Sequence, residues 1–418
     1  MQKLKHPIFI NSLAFYLVNL SDYFISLILL PFLARTILVE GIGIMGLASI
    51  LGAVCVLIME YGFSLSATRE IALKDKKKNF IVSKVYSSKL LLTIPCIIIC
   101  SFSAFFLPVF QKHSLIVFFT LTSSIMSGLT PLWYFQGIQK VLPFAILKIS
   151  LRVLTTIPVF FFVKSINDIW LVFFLQTISS FAICLISFSW ILKKVKINFI
   201  SGNELIKSFY ESWNTFSLSI VPPFCSMILL FWLSTQLSIE SIGLLNSADR
   251  IFKALISIFG PLGQAIYPFL ISQLSFNKAM AITQTKKIFY FYIILGITMS
   301  AFTILFSDRF IEFYLGKSFL GSSTILKILA LSIPIIKISH ILGRQWMLSI
   351  KLDKIVNRLI FLSSTFLLIT TYLSFKRYQI LSFPISLFLS ELFLLISCFM
   401  YLQNKKIGFW NKMAEKNI

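Results

Sequence analysis

The sequence predicts an all-α, polytopic membrane protein of twelve transmembrane helices in two six-helix lobes, and three observations predict it. The 418 residues are 57% hydrophobic and only 13% charged, with a mean hydropathy of +0.90, values outside the range of soluble globular chains. Apolar runs of about 20 residues, the length that crosses about 30 Å of hydrocarbon, recur between short charged breaks along the whole chain. The formal net charge of +23 falls in those breaks, whereas a nucleic-acid binder gathers its basic residues on one face of a folded domain.

In order, the apolar runs place spans at 8–33, 41–62, 88–110, 115–134, 142–163 and 169–192, then at 213–237, 242–271, 288–306, 325–350, 359–375 and 380–402. The N-terminal MQKLKHP and the run after it imitate a signal peptide, but the run is too long and lacks a small-residue cleavage site. It is expected to stay as the first span. The breaks alternate in charge. The N-terminus, the 63–87 loop with Arg69, Lys74, Lys76, Lys77, Lys78 and Lys84, then Lys140, the loops 193–212, 274–287 and 351–358 and the C-terminal tail are rich in Lys and Arg; the intervening breaks carry only Arg35, Lys112, Lys164, Arg309, Lys317, Lys376 and Arg377. The positive-inside rule then puts both termini in the cytoplasm.

The loop 193–212 contains the polar stretch SGNELIKSFYES and nearly halves the chain, so lobes of 1–200 and 201–418 are expected. Residues 25–48 also align without gaps on 225–248, matching Leu29/Leu229, Leu33/Leu233, Glu40/Glu240, Gly43/Gly243 and Ala48/Ala248. Six spans return the chain to its starting side, which makes the lobes repeats of one orientation.

Only the second copy continues into Asp249-Arg250, where the first has Ser49-Ile50. The apolar run there begins at Ile242, so these charges lie on the order of 10 Å inside it, at a cost of several kcal/mol unless they face a wet cavity or a partner. Helical spacing lets Asp249, Arg250 and Lys253 share one side, and Gly260, Pro261, Gly263 and Pro268 interrupt the ladder downstream. One reading is a substrate pathway; the other is an Asp249–Lys253 salt bridge that locks two helices. Elsewhere Lys148 and Arg152 fall at i, i+4, and Lys337, His340 and Arg344 at i, i+3, i+7. Such basic stripes suit an anionic ligand such as a phosphate or pyrophosphate, which Arg binds bidentately and Lys as a point charge. For Lys89, Lys148 and Arg344, near span ends, snorkelling to the interface is the competing reading. Asp22 either binds a proton or Na⁺ or caps a kink with Asn19 and Ser21.

The six cysteines all sit in apolar segments without paired spacing, and read as packing residues rather than a metal site. The one Gly-Lys-Ser, at 316–318, lacks the glycine of a phosphate loop. The three histidines are scattered, with no HExxH or GxSxG, so neither catalysis nor a cofactor is expected.

PFLARTILVEGIG (31–43), YGFSLSATREIA (61–72), PLWYFQGIQK (131–140), GLLNSADRIFKAL with GPLGQAIYPFLISQ (243–273) and LGRQWML (342–348) occur in an order that resembles one family. It is that of the Wzx-type O-antigen flippases, in the polysaccharide-transporter branch of the multidrug/oligosaccharidyl-lipid/polysaccharide (MOP) exporter superfamily, and the resemblance covers most of the chain. It implies a MATE-like pair of six-helix lobes around a central cavity. It also implies export of an undecaprenyl-pyrophosphate-linked oligosaccharide across the inner membrane by alternating access, with an O-antigen polymerase and a chain-length regulator as protein partners. By position, Arg35, Glu40, Gly41 and Gly43 match the first motif, Arg69 the second, Trp133 and Gly137 the third and Asp249 the fourth. Leu38-Val39 depart from the family's Gly-Pro, so a different turn is expected there, and Arg250 stands where a lysine is common. The substrate-site candidates are thus Asp249, Arg250, Lys253, Arg152, Lys148, Arg69, Arg35, Lys337 and Arg344, with Asp22 as the ion-coupling candidate. For Arg69 a pure topology signal is the alternative. A multidrug antiporter would want acidic, aromatic-lined sites, and a polymerase or glycosyltransferase a sizeable outside loop; the in-span charges here are mainly basic and the longest loop is cytoplasmic and short.

Overall fold

The computed structural model describes residues 2–73, 77–198, 200–258, 273–274 and 276–411, together with 266 and 270. Every element among them is helical: α1 (Gln2–Thr36), α2 (Leu38–Glu60), α3 (Phe63–Leu73), α4 (Lys78–Phe106), α5 (Pro108–Lys112), α6 (Ser114–Leu129), α7 (Leu132–Gly137), α8 (Val141–Thr156), α9 (Val159–Phe162), α10 (Ile169–Leu192), α11 (Gly202–Gln236), α12 (Ile239–Ser257), α13 (Lys278–Tyr314), α14 (Gly321–His340), α15 (Asp353–Tyr378) and α16 (Ser382–Asn404). Eight segments of the described residues are helical, long and apolar enough to cross a membrane, the last of them, Asp353–Asn404, holding both α15 and α16. The expected breaks at 260–268 lie outside the described residues, except Ile266.

Tertiary contacts divide the chain into two compact units, Met1–Met227 and Ile228–Ile418. In the first, α1 packs on α8, α2 on α6 and α6 on α10; in the second, α13 packs on α14 and α14 on both α12 and α16. Small residues set the close approaches: a Cβ at Gly52 of α2 would meet Ser124 Oγ and Thr120 Cγ2 of α6 at 3.0 Å, and one at Gly296 of α13 would meet Pro334 Cα of α14 at 3.1 Å. Bare backbone at such positions lets membrane helices approach closely, where packing rather than a hydrophobic force drives association.

The helices overrun the apolar runs. α13 has 37 residues, about 55 Å at 1.5 Å per residue, so its first turns carry Lys278, Lys286 and Lys287 as helix where a loop was expected. The stretch SGNELIKSFYES is likewise the start of α11 and not a loop, with Ser208 buried and Phe209 packed on Tyr61 at 5.0 Å. Hydropathy marks where hydrocarbon ends, whereas a helix ends only where its hydrogen-bond ladder does.

The 63–87 loop is also largely structured. Residues of YGFSLSATREIA form α3, whose Phe63, Ala67 and Ile71 face a core shared with Trp133, Tyr134 and Phe135 of α7. Thr68 Oγ1 donates to the Trp133 carbonyl at 3.1 Å, and a Cβ on Gly137 would fall 2.7 Å from Ile71 Cβ. Two of the family-like motifs are therefore two sides of one packing contact.

The internal repeat has a structural counterpart in each unit. α1 ends at Thr36 and α11 at Gln236, and the following helices begin two and three residues later. The turns differ: Ser238, φ −65°, caps α12 by accepting from the Ser241 amide at 3.2 Å, whereas Leu38 lies at φ 59°. That is the left-handed conformation for which a glycine is the natural residue.

Candidate substrate site

Packing of α1 against α8 sets Asp22 opposite two cations that one helical turn separates. Lys148 Nζ donates to Asp22 Oδ2 at 2.7 Å, and Arg152 Nε lies 3.9 Å from Asp22 Oδ1. The side chains are 18%, 23% and 43% exposed for Lys148, Arg152 and Asp22, so Lys148 is held by a partner and does not snorkel. Asp22 is likewise committed to these cations rather than to a kink cap; Ser21 instead donates to the Val18 carbonyl at 2.9 Å.

The trio lines a cavity of about 420 Å³ inside the first unit, bounded by α1, α2, α6, α8 and α10. About half of its wall is apolar, with Val56, Phe144, Phe173 and Ile183, and the rest is polar: Ser49 and Glu60 come from α2, Thr120, Ser123, Ser124 and Ser127 from α6, and Gln176 and Ser180 from α10. Among the described lining residues Asp22 and Glu60 balance Lys148 and Arg152, so the site is charge-neutral where a basic stripe was expected. The volume falls in the range of about 300–1,000 Å³ usual for small-ligand sites. Arg152 Nε and Thr120 Oγ1 are buried without a hydrogen-bond partner. Such donors are rare in folded proteins, and an acceptor-only group such as a phosphate oxygen would satisfy the guanidinium.

Sequence reasoning missed Glu60, Gln176 and the hydroxyl wall. The signal was present as TLTSSIMSGLT at 120–130, a run of small polar residues inside an apolar span. Lys89 also differs from its snorkelling reading: it is 3% exposed and its ammonium donates to the Gly128 carbonyl.

In the second unit, Asp249 Oδ2 and Lys253 Nζ pair at 2.5 Å along α12 itself, so the pair does not lock two helices together. Lys253 is 55% exposed while Asp249 is nearly buried. Arg250 donates from Nε to Asn246 Oδ1 at 2.8 Å.

Lys337 is buried and donates to the Ile256 carbonyl of α12 at 3.1 Å. Along the Lys337-His340-Arg344 stripe, residues Ile341–Met347 form a π-helix, and Arg344 is exposed while Lys337 is buried. The i→i+5 bonding of that segment turns later side chains off the α-helical face. Arg35, at the end of α1, and Arg69, on the outer side of α3, are both exposed, and neither lines the cavity.

Solved structures share this architecture. An inward-facing multidrug resistance MATE family transporter of the MOP superfamily matches with a TM-score of 0.69 at 14% identity, over 96% of this chain and 94% of that one. The lipid II flippase MurJ, in an inward closed conformation, matches with a TM-score of 0.65 at 14% identity, over 96% and 88%. The fold is therefore that of the MATE and MurJ transporters, and the protein is a multi-pass membrane protein. Residues 9–275 match the family described as "Polysaccharide biosynthesis protein", and the chain belongs to that family. Two curated relatives carry the name "Putative O-antigen transporter": one from Escherichia coli (strain K12), 25% identical over 95% of this chain and 97% of its own, and one from Shigella dysenteriae, 28% identical over 92% and 98%.

Proposed function

We propose that the protein is a flippase that moves an undecaprenyl-pyrophosphate-linked oligosaccharide, an O-antigen repeat unit, from the cytoplasmic to the periplasmic leaflet of the bacterial inner membrane by alternating access. The names of the two full-length relatives and the family membership support a lipid-linked polysaccharide as substrate class. On this reading twelve spans form six-helix lobes of 1–200 and 201–418, with α11 counted in the second and both termini cytoplasmic. An O-antigen polymerase and a chain-length regulator take over the product.

The observation that carries the mechanism is the set of cations held by one carboxylate in the cavity. A pyrophosphate offers only acceptors, so it competes directly with Asp22 for Lys148 and Arg152. The charge-neutral resting site then has a ready exchange: the substrate takes the cations, and the released Asp22 carboxylate is neutralised by a proton or Na⁺. That exchange is a route for coupling transport to an ion gradient. In the second unit Arg250, Lys253, Lys337 and Arg344 are the proposed cations for an anionic headgroup or acidic sugars, with Asp249 as the counter-charge of Lys253. The exposed Arg69 gathers it at the cytoplasmic surface, and the exposed Arg35 meets it on the opposite side.

The test is reconstitution of the purified protein in vesicles loaded with a lipid-linked oligosaccharide. Protein-dependent exposure of the sugar to a membrane-impermeant glycosidase is the expected result. Efflux of organic cations without any change in sugar exposure would replace the flippase reading with a drug antiporter.

A further inference from the structure

We infer that an apolar groove in the second unit binds one anionic glycerophospholipid. The groove encloses about 650 Å³ and is lined by Phe289 and Tyr290 of α13, Ile338, Leu342, and Leu395 with Phe399 of α16. Its fourth side is made by the chain after α16, which turns back at Lys406, φ 56°. Phe409 enters the core, 2% exposed, with ring centroids 5.2 Å from Phe289 and 5.5 Å from Trp346. Trp346 Nε1 donates to the Ile407 carbonyl at 3.0 Å, and Trp410 stacks on Phe399 at 4.9 Å while donating to Gln403 Oε1 at 2.7 Å. The wall is therefore tied down by rings and hydrogen bonds.

Charge and surroundings together select the occupant. Lys286 is the one lysine or carboxylate among the described lining residues, Lys287 follows it in the chain, and the exposed Lys405 and Lys406 lie just before the groove-lining Phe409 and Trp410. The flanks are open apolar surface of membrane-spanning helices, with Tyr290 63%, Ile294 67%, Ile396 48% and Met400 55% exposed. A molecule that enters from lipid with an acyl chain for the aromatic walls and a phosphate for the lysine rim fits both features. Basic pockets between membrane helices hold anionic headgroups in this way. The groove shares no residue with the cavity of the proposed transport site.

The full-length protein in detergent is titrated with phosphatidylglycerol, with phosphatidylcholine of the same chains, and with polyprenyl pyrophosphate, and bound lipid is counted by native mass spectrometry. One phosphatidylglycerol is expected to be retained at least fivefold more strongly than phosphatidylcholine. Lys286→Ala should weaken phosphatidylglycerol alone by about fivefold, the worth of one lysine at a lipid surface, and Lys286→Arg should restore it. Ile396→Trp fills the groove from an exposed position and should weaken both phospholipids. Equal retention of the two in the unaltered protein, or no loss in Lys286→Ala and Ile396→Trp, overturns the inference. So does displacement of phosphatidylglycerol by an equal concentration of polyprenyl pyrophosphate, which would make the transported lipid the occupant.

Discussion

The pairing of Asp22 with Lys148 can be tested by a double-mutant cycle of Asp22→Asn and Lys148→Gln. At the observed 2.7 Å the gross attraction is about 6 kcal/mol at an effective dielectric constant of about 20. Asp22 is 43% exposed, so solvent screening and lost desolvation reduce the net value toward that of exposed pairs, at most about 1 kcal/mol, or of a hydrogen bond to a charged group, about 1.5–3. A coupling of about 1–2 kcal/mol is expected in stability. The two single variants should differ. Lys148→Gln leaves Asp22 with Arg152 still 3.9 Å away, whereas Asp22→Asn removes the carboxylate that both cations face and should be the less stable. Thermal unfolding in detergent reads that half of the cycle. Export, measured as surface polysaccharide at matched protein level, reads the other half: if Lys148 holds the pyrophosphate, Lys148→Gln should lose about tenfold, roughly 1.4 kcal/mol, and the double variant should regain stability but not export. Full recovery of export in the double variant would refute the substrate role and leave Asp22–Lys148 as a structural tie between α1 and α8.

In the second unit, Arg250→Ala should abolish export with the protein still inserted, and Arg250→Lys should be partly active because it keeps the charge but loses the planar fork; retained export in Arg250→Ala would remove Arg250 from the site. Asp249→Ala with Lys253→Ala separates pair from ligand, since recovery of export in the double variant relative to Asp249→Ala would remove Lys253 as a substrate contact. Leu38→Gly should raise stability by about 1 kcal/mol, because a side chain at φ 59° carries a steric cost of roughly 1–2 kcal/mol and Leu38 is 59% exposed, so little packing is lost; an unchanged or lower unfolding temperature contradicts this. Reporter fusions at Lys112 and Lys193 should report opposite sides of the membrane, and agreement between them would overturn the twelve-span order.

What the sequence determined by itself is the class of the molecule. Hydrocarbon admits only helices and closed β-barrels, and apolar runs of about 20 residues have the length of a spanning helix rather than of a barrel strand, so they fix an all-helical, membrane-spanning protein without any tertiary information. The repeat of 25–48 in 225–248 marked the two lobes, and the departure at Leu38-Val39 marked a different turn, which is left-handed at Leu38; the helix ends at Thr36 and Gln236 came only with the structure. The candidate site was legible only as a catalogue of ionisable residues in apolar runs. Spacing put Lys148 and Arg152 on one face, but it carries no information about what the face meets, and the acid that pairs with Lys148 is 126 residues away in the chain. Helix packing chose Asp22 as that acid. It also gave Lys89 the Gly128 carbonyl and Lys337 the Ile256 carbonyl. A charge in an apolar run must find a partner because leaving it unpaired costs several kcal/mol; that requirement is written in the sequence, while the identity of the partner depends on which helices lie side by side.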